Sequence, residues 1–266
     1  MTRLEQIALG LTWGIALLVV VYLMLPLAVT IAVSFSSSPV FDLPPPQWSL
    51  RWYAQLARLR GLDDAVWLSL QIALICTFVS LLLGTACAIA VVRGNLPFRE
   101  SVTTFMVSPL MMPGLVLGVA LLQFLREMGL REAYPSLVIG HIIVTLPFVM
   151  RVVVASLSLF DFSLIDAART LGCSYPKALF KVLVPALAPA FITSGLFAFL
   201  ASMDNYPVSI FLTDARYKTL PIQMLQYLDE RPDPTIAAIS AGLIALTIVV
   251  LLIGDKMVGL KKIAEF

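Results

Sequence analysis

Asp166-Ala167-Ala168-Arg169-Thr170-Leu171-Gly172, followed after nine residues by Val182-Leu183-Val184-Pro185, stands between two long apolar stretches. A connection between membrane helices is normally short and polar, and this one is neither. Ser163-Leu164-Ile165-Asp166 fits a capping box: Ser163 accepts from the amide near Asp166, and Asp166 reaches back to the amide of Ser163. A carboxylate in the first turn complements the helix dipole. Ala167 and Ala168 are strong helix formers of little bulk, and Gly172 suits a left-handed stop. Ser174 and Pro176 open a second helix, which Pro185 limits or kinks. The spacing predicts a short rigid helix, a glycine bend, and a second helix tied to the next apolar stretch. Leu164, Ile165, Leu171 and Phe180 offer apolar contact, and the small alanine face lets the helix settle into a groove on another protein.

The rest of the chain says what solvent surrounds that loop. Of its 266 residues, 60% are hydrophobic and 13% charged, where an ordinary soluble domain carries about 25% charge. The mean hydropathy is +0.96. Charge-free stretches run over 6–41, 65–92, 101–125, 133–150, 182–203 and 235–254. Each is long enough to cross a hydrocarbon core of about 30 Å as a helix. They are continuously apolar rather than alternating, so spanning helices satisfy the backbone where a barrel pattern is absent. The expectation is one all-α integral membrane domain over 1–266. Its six spans lie at about 9–34, 65–92, 101–125, 134–157, 186–206 and 235–254, with the special loop at about 160–185. The first stretch reads as a span, since it is too long for the apolar core of a cleaved signal and no convincing cleavage site follows. A net charge of +2 is too small to suggest a nucleic-acid partner. Cys76, Cys87 and Cys173 read as small apolar residues rather than a disulfide framework. One histidine and no Cys/His cluster give no zinc constellation, and no metal ligands are assigned.

The 166–185 pattern resembles the EAA loop of permease subunits of bacterial binding-protein-dependent ABC importers. In that family the motif reads Glu-Ala-Ala, three residues, Gly, nine residues, then Ile-x-Leu-Pro. Here Asp166 replaces Glu, and Val182 and Val184 replace Ile and Leu, while Gly172 and Pro185 hold their spacing. The resemblance implies the type I importer permease fold, with short cytoplasmic coupling helices between the fourth and fifth spans. It implies that Asp166, Ala167, Ala168, Gly172 and Pro185 couple the chain to an ATPase subunit. The other implied partners are a second permease subunit in a heterodimer, two ATP-binding subunits in all, a periplasmic substrate-binding protein and membrane lipid. No G-x-x-x-x-G-K-[ST] segment occurs, nor a nucleophile elbow or H-E-x-x-H. The chain is therefore expected to be non-catalytic and to carry no cofactor, with ATP and Mg bound by partner subunits.

Six spans put both termini on one side, with ten Lys and Arg there against eight opposite. The positive-inside rule favours the ten as cytoplasmic, and an EAA loop faces the cytoplasm. On the other side, Pro44-Pro45-Pro46 interrupts helix, and Trp48, Trp52 and Tyr53 read as an interfacial belt or as contacts to a docking partner. In the third span, Ser108-Pro109 and Met112-Pro113-Gly114 weaken the helix, which suits either a translocation path or a kinked packing helix. His141 lies inside the fourth span. It reads as functional by default, or as a neutral ring bonded within the protein. Asp204 ends the fifth span, where it either attracts a cation or caps a helix and faces water, and Tyr206-Pro207 suggests a break.

Further segments resemble the second permease subunit of spermidine/putrescine importers. They are Ser34-Phe35-Ser36-Ser37-Ser38 with Trp52-Tyr53, Met106-Val107-Ser108-Pro109, His141-Ile142 with Leu146-Pro147-Phe148-Val149, and Ser202-Met203-Asp204 with Leu220-Pro221. That subfamily is expected to carry two acids after Ser-Met, whereas here the second is Asn205. The implied cargo is a polyamine, with Asp204, Asn205, Tyr206 and His141 on the substrate path. An aminophosphonate or opine-like solute is the alternative within the class. A stand-alone secondary transporter is a further alternative, although coupling to ions usually needs more ionisable residues within the spans. A membrane-bound enzyme lacks any acid, base and nucleophile constellation.

Overall fold

A computed structural model describes residues 3–94 and 97–258. Lys261 and Lys262 of the basic tail, and positions 95 and 96 of the turn after the second span, lie outside the described residues. The long apolar stretches fold as helices. In chain order these are α1 (Arg3–Ser34), α2 (Arg51–Leu56), α3 (Leu62–Arg93), α4 (Arg99–Val107), α5 (Gly114–Glu127), α6 (Ala133–Ser158), α7 (Ser163–Thr170), α8 (Tyr175–Ala178), α9 (Val184–Ala186), α10 (Ala188–Met203), α11 (Tyr206–Leu212), α12 (Leu220–Glu230) and α13 (Thr235–Val258). Among the described residues four helices are long and apolar enough to cross a membrane, and up to six spans result if each of two bent pairs counts as one.

The bends follow from proline. Between α4 and α5 the chain turns by 109°. Met112, held extended at φ −85° and ψ 140°, directly precedes Pro113, whose ring disfavours helical geometry in the residue before it. The second bend, 69°, falls at Leu187, between Pro185 and Pro189. Ahead of it, Leu179–Leu183 forms a π-helical turn. The wider turn accommodates a proline that has no N–H to donate and crowds the carbonyl four residues back.

Two compact units result, Met1–Arg60 with Met224–Ile248, and Gly61–Gln223 with Val249–Phe266. In the first, the chain beyond α1 folds back on itself. The indole N–H of Trp52 donates to the Ser36 carbonyl at 2.7 Å, the Ser34 and Tyr53 hydroxyls lie 2.7 Å apart, and the Phe35 and Tyr53 rings stack at 5.2 Å. This separates the aromatic residues that the sequence groups as one belt. Trp48 is exposed, Trp52 is buried, and Tyr53 is half-buried, because a Trp whose N–H is satisfied internally is free to leave the surface.

In the second unit, α3 and α6 contribute to two apolar clusters, the first completed by α5 and α11 and the second by the 160–185 loop and α10. One joins Ile72, Cys76, Leu121, Leu137 and Val208. The other joins Ala88, Val149, Val153, Leu157, Ile165, Ala178 and Leu183. Small residues allow the helices to approach: a Cβ on Gly84 would sit 2.9 Å from Val149, and one on Gly118 would sit 2.8 Å from the Pro207 carbonyl. The Ser80 and Thr145 hydroxyls, 2.8 Å apart, bond α3 to α6.

Candidate functional site

The 160–185 loop is built as a hook on the end of α3 and α6. Helix α7 starts at Ser163, but not through a capping box. The Ser163 amide donates to the Asp161 carboxylate at 2.9 Å, the acceptor role the sequence assigned to Asp166, while the Asp166 amide donates to the Phe162 carbonyl at 3.4 Å rather than to Ser163. That hydrogen bond holds the exposed Asp161 carboxyl below its ordinary range. Asp166 is turned instead toward cations: Arg169 lies 3.6 Å away and Arg93 lies 3.9 Å away. Gly172 follows at φ +89°, a left-handed conformation that glycine adopts without strain. Helix α8 then opens with Pro176 in its first turn.

Arg93 is the residue that reading the sequence missed as part of this site. It ends α3, where a cation complements the helix dipole. Its guanidinium stacks 4.8 Å from the Phe162 ring and 5.6 Å from the Tyr175 ring. One arginine thus touches the start of α7 through Phe162, its middle through Asp166, and the start of α8 through Tyr175. Its Nη1 is buried without a hydrogen-bond partner. The only sequence signal was a lone arginine at the end of an apolar run, which snorkelling alone explains.

The apolar contacts divide. Ile165 is fully buried in the cluster shared by α3, α6 and α10, so it anchors α7 to its own subunit and is withheld from any partner. Leu164, Leu171 and Phe180 are exposed at 50%, 86% and 73%. Asp166 is exposed, as are Ala167 and Pro185, and Ala168 is half-buried. The loop therefore presents a mixed apolar and acidic face while its inner face is locked to the helices.

A second cluster lies where α10 meets α11. His141 on α6 is buried, with Nδ1 2.8 Å from the Ser202 hydroxyl and Nε2 2.9 Å from the Ser209 hydroxyl. The Ser209 hydroxyl also donates to the Asn205 carbonyl. Asn205 is buried, and its side chain accepts from the Val208 amide at 3.1 Å, capping α11. His141 and Asn205 are therefore joined through Ser209. Asp204 is exposed beside them and Tyr206 is half-buried. Ser202 entered the sequence reading only as part of the Ser202-Met203-Asp204 segment, and Ser209 carried no signal, since a serine within an apolar helix is common. Among the described residues no group of three or more His, Cys, Asp or Glu side chains is arranged to hold a metal ion.

A hook of helix between two membrane helices, with its inner face buried and its outer face exposed, is suited to transmitting displacement. Residues 80–260 match the family described as the inner membrane component of binding-protein-dependent transport systems. The chain belongs to this family. It is 29% identical over 231 residues to the spermidine/putrescine transport system permease protein PotC of Escherichia coli K12, covering 87% of each chain. It is 28% identical over 237 residues to the putrescine transport system permease protein PotI of the same organism, covering 86% of this chain and 84% of that one. Among solved structures it is similar to a bacterial ABC transporter involved in import of the acidic polysaccharide alginate, with a TM-score of 0.74 and 17% identity, covering 96% and 98% of the two chains. It is also similar to the MetNI methionine ABC transporter, with a TM-score of 0.58 and 19% identity, covering 74% and 94%. The protein is a permease subunit of a type I ABC importer, with the all-helical fold of that class. Such a subunit is multi-pass in the bacterial inner membrane, is normally non-catalytic, and works with a partner permease, an ATPase and a binding protein.

Proposed function

We propose that the chain moves a polyamine, spermidine or putrescine, from a periplasmic binding protein to the cytoplasm by alternating access. The likeness to PotC and PotI over most of both chains carries this reading. Residues 1–266 act as one permease domain of six spans, with both termini and the 160–185 loop in the cytoplasm. It pairs with a second permease of different sequence. Two ATP-binding subunits bind ATP and Mg and perform the hydrolysis, and this chain performs none. Asp166, Ala167, Ala168 and Gly172 dock in a groove of the ATPase, and Pro185 sets the angle at which the loop re-enters the membrane. Closure of the ATPases shifts the population of the permease between inward- and outward-facing states through the differential contacts of that loop. The stack of Arg93 on Phe162 and Tyr175 supports this, because displacement of α7 or α8 pulls directly on α3.

On the path, Asp204 offers an exposed carboxylate to a cationic cargo, with Asn205 and Tyr206 beside it. His141 acts through Ser202 and Ser209, holding the α10–α11 junction in place. The test is uptake of labelled spermidine and putrescine in source cells with and without this gene, other polyamine importers being disabled. Loss of uptake, restored by the gene and not by an Asp204→Ala copy, supports the reading. Unchanged uptake rejects the polyamine. One observation favours a second cargo: Asn205 stands where a second acid is expected, and its carbonyl oxygen is committed to capping α11. Asp204 is then the junction's lone carboxylate, which weakens the fit to a polycation and suits an aminophosphonate or opine-like solute. Uptake of those solutes is the parallel arm of the same assay.

A further inference from the structure

Beyond the end of α1 and just ahead of α13, in the first unit, Arg51, Ala54, Gln55, Arg58, Leu59 and Arg231 line a cleft of about 440 Å³. Three guanidinium groups share it, and the salt bridges among the described residues involve none of them. Arg51 is fixed: its Nη1 donates to the Ser37 carbonyl at 2.9 Å and its guanidinium lies 4.4 Å from the Trp52 ring. Asp233, an acid in the same unit, is already occupied. Its carboxylate accepts from the Tyr227 hydroxyl at 3.0 Å and the Thr235 amide at 2.9 Å, while Tyr227 takes the Gln55 amide at 3.3 Å. The cleft therefore gathers three guanidinium groups that none of these salt bridges pairs, and arginine forks match phosphate oxygens in pairs.

Its depth and surroundings identify the source of the phosphate. Arg51 to Leu59 lie in the connection that follows the apolar α1, and Arg231 lies in the short link between α12 and the apolar α13, positions in sequence that suit the level where the hydrocarbon region gives way to headgroups. Val40, Phe41, Leu43, Trp48 and Leu50 of the same unit are exposed at 50–71%, a pattern of aromatic and aliphatic side chains suited to the acyl boundary. Guanidinium groups at that level can pair with the phosphate oxygens of headgroups. We propose that this cleft binds the phosphate of an anionic phospholipid, with Arg58 and Arg231 as the clamp and Arg51 as a fixed third charge. The inference rests on the chain spanning a membrane and is independent of its cargo.

The test is native mass spectrometry of the full chain in mild detergent, titrated with phosphatidylglycerol and with phosphatidylcholine. Wild type should favour phosphatidylglycerol. Arg58→Gln/Arg231→Gln should weaken that lipid about twenty-five-fold, at roughly five-fold per arginine near a lipid surface, and leave phosphatidylcholine unchanged. Arg58→Lys/Arg231→Lys should keep most of the preference, and raising the salt should erode it in wild type, a readout that needs no variant to fold. Equal retention of the two lipids by wild type overturns the proposal, as does an unchanged preference in a Gln variant of wild-type melting temperature. Displacement by millimolar glycerol phosphate or inorganic phosphate overturns the lipid assignment in favour of a soluble phosphate. If lipid preference is absent and the Gln variant instead loses cross-linking to the binding protein, an acidic protein surface is the occupant and the proposal fails.

Discussion

Arg93 concentrates the coupling of the loop in one side chain. Exposed ion pairs contribute about 0.2–1 kcal/mol, and a cation over a ring contributes about 0.5–1 kcal/mol at exposed sites. Arg93→Gln removes one long pair and two ring contacts, a loss of about 1–2 kcal/mol by those figures. That is too little to unfold the subunit and enough to loosen α7 from α3. The variant should assemble normally, as judged by co-purification, while transport per ATP hydrolysed drops several-fold in proteoliposomes. Unchanged stoichiometry would remove Arg93 from the linkage. His141 behaves differently, since both ring nitrogens are bonded inside the protein. His141→Ala strands buried hydroxyls on α10 and α11, at about 1–3 kcal/mol. Its melting temperature in detergent should fall by several degrees with uptake per folded molecule largely kept. Asp161 carries a pH signature. Its folded carboxyl titrates below the unfolded one, so its support of α7 is complete above the ordinary carboxylate range and is lost as pH falls through the folded value. Amide exchange at Ser163 should be faster in Asp161→Asn than in wild type at neutral pH, and the difference should close in acid.

At the scale of elements, α7 and α8 are joined by a bend that only the backbone of Gly172 permits cheaply. A Cβ there meets nothing within 4 Å and φ is +89°. Substitution therefore costs backbone strain, about 1–2 kcal/mol for a left-handed residue, rather than a collision. Gly172→Ala and Gly172→Trp should share that strain, and the tryptophan should add a block to docking. Comparing ATPase stimulation in the two variants separates the contributions: equal defects would assign the whole effect to strain. Gly118 poses the opposite problem. Added atoms meet Phe211 at 2.7 Å and the Pro207 carbonyl at 2.8 Å, so Gly118→Leu should force α5 from α11 and abolish folded protein on gel filtration, with Gly118→Ala intermediate.

Across the molecule, the loop is anchored to its own subunit on one face and exposed on the other, the face proposed to meet the ATPase. Ile165 is fully buried among side chains of α3, α6 and α10, while Leu164 and Leu171 are half to fully exposed beside Asp166. An ATPase that docks there meets a face whose motion cannot be absorbed locally, because dense packing transmits displacement. Leu171→Asp should weaken retention of the ATPase during purification with the melting temperature of the permease unchanged. Ile165→Asp should destabilise the permease itself, since it places a charge in an apolar cluster.

Much of this architecture was legible in the chain because the bilayer demands long apolar helices, and 60% hydrophobic composition leaves few other solutions. The glycine stop and the second helix after Gly172 were legible for a local reason: backbone conformation depends on the residue at hand and its near neighbours. The sequence alone determined the helical class, the family resemblance and the position of the loop. Tertiary structure decided which contacts those elements make. Asp161 took the Ser163 amide that the sequence assigned to Asp166, and Asp166 turned to Arg93, a residue more than seventy positions away. Ile165 went inward because α3, α6 and α10 converge over it, and Trp52 was buried once Ser36 accepted its indole N–H. A side chain's partner depends on which helices come together, and a run of apolar residues reads the same whether it faces lipid or protein.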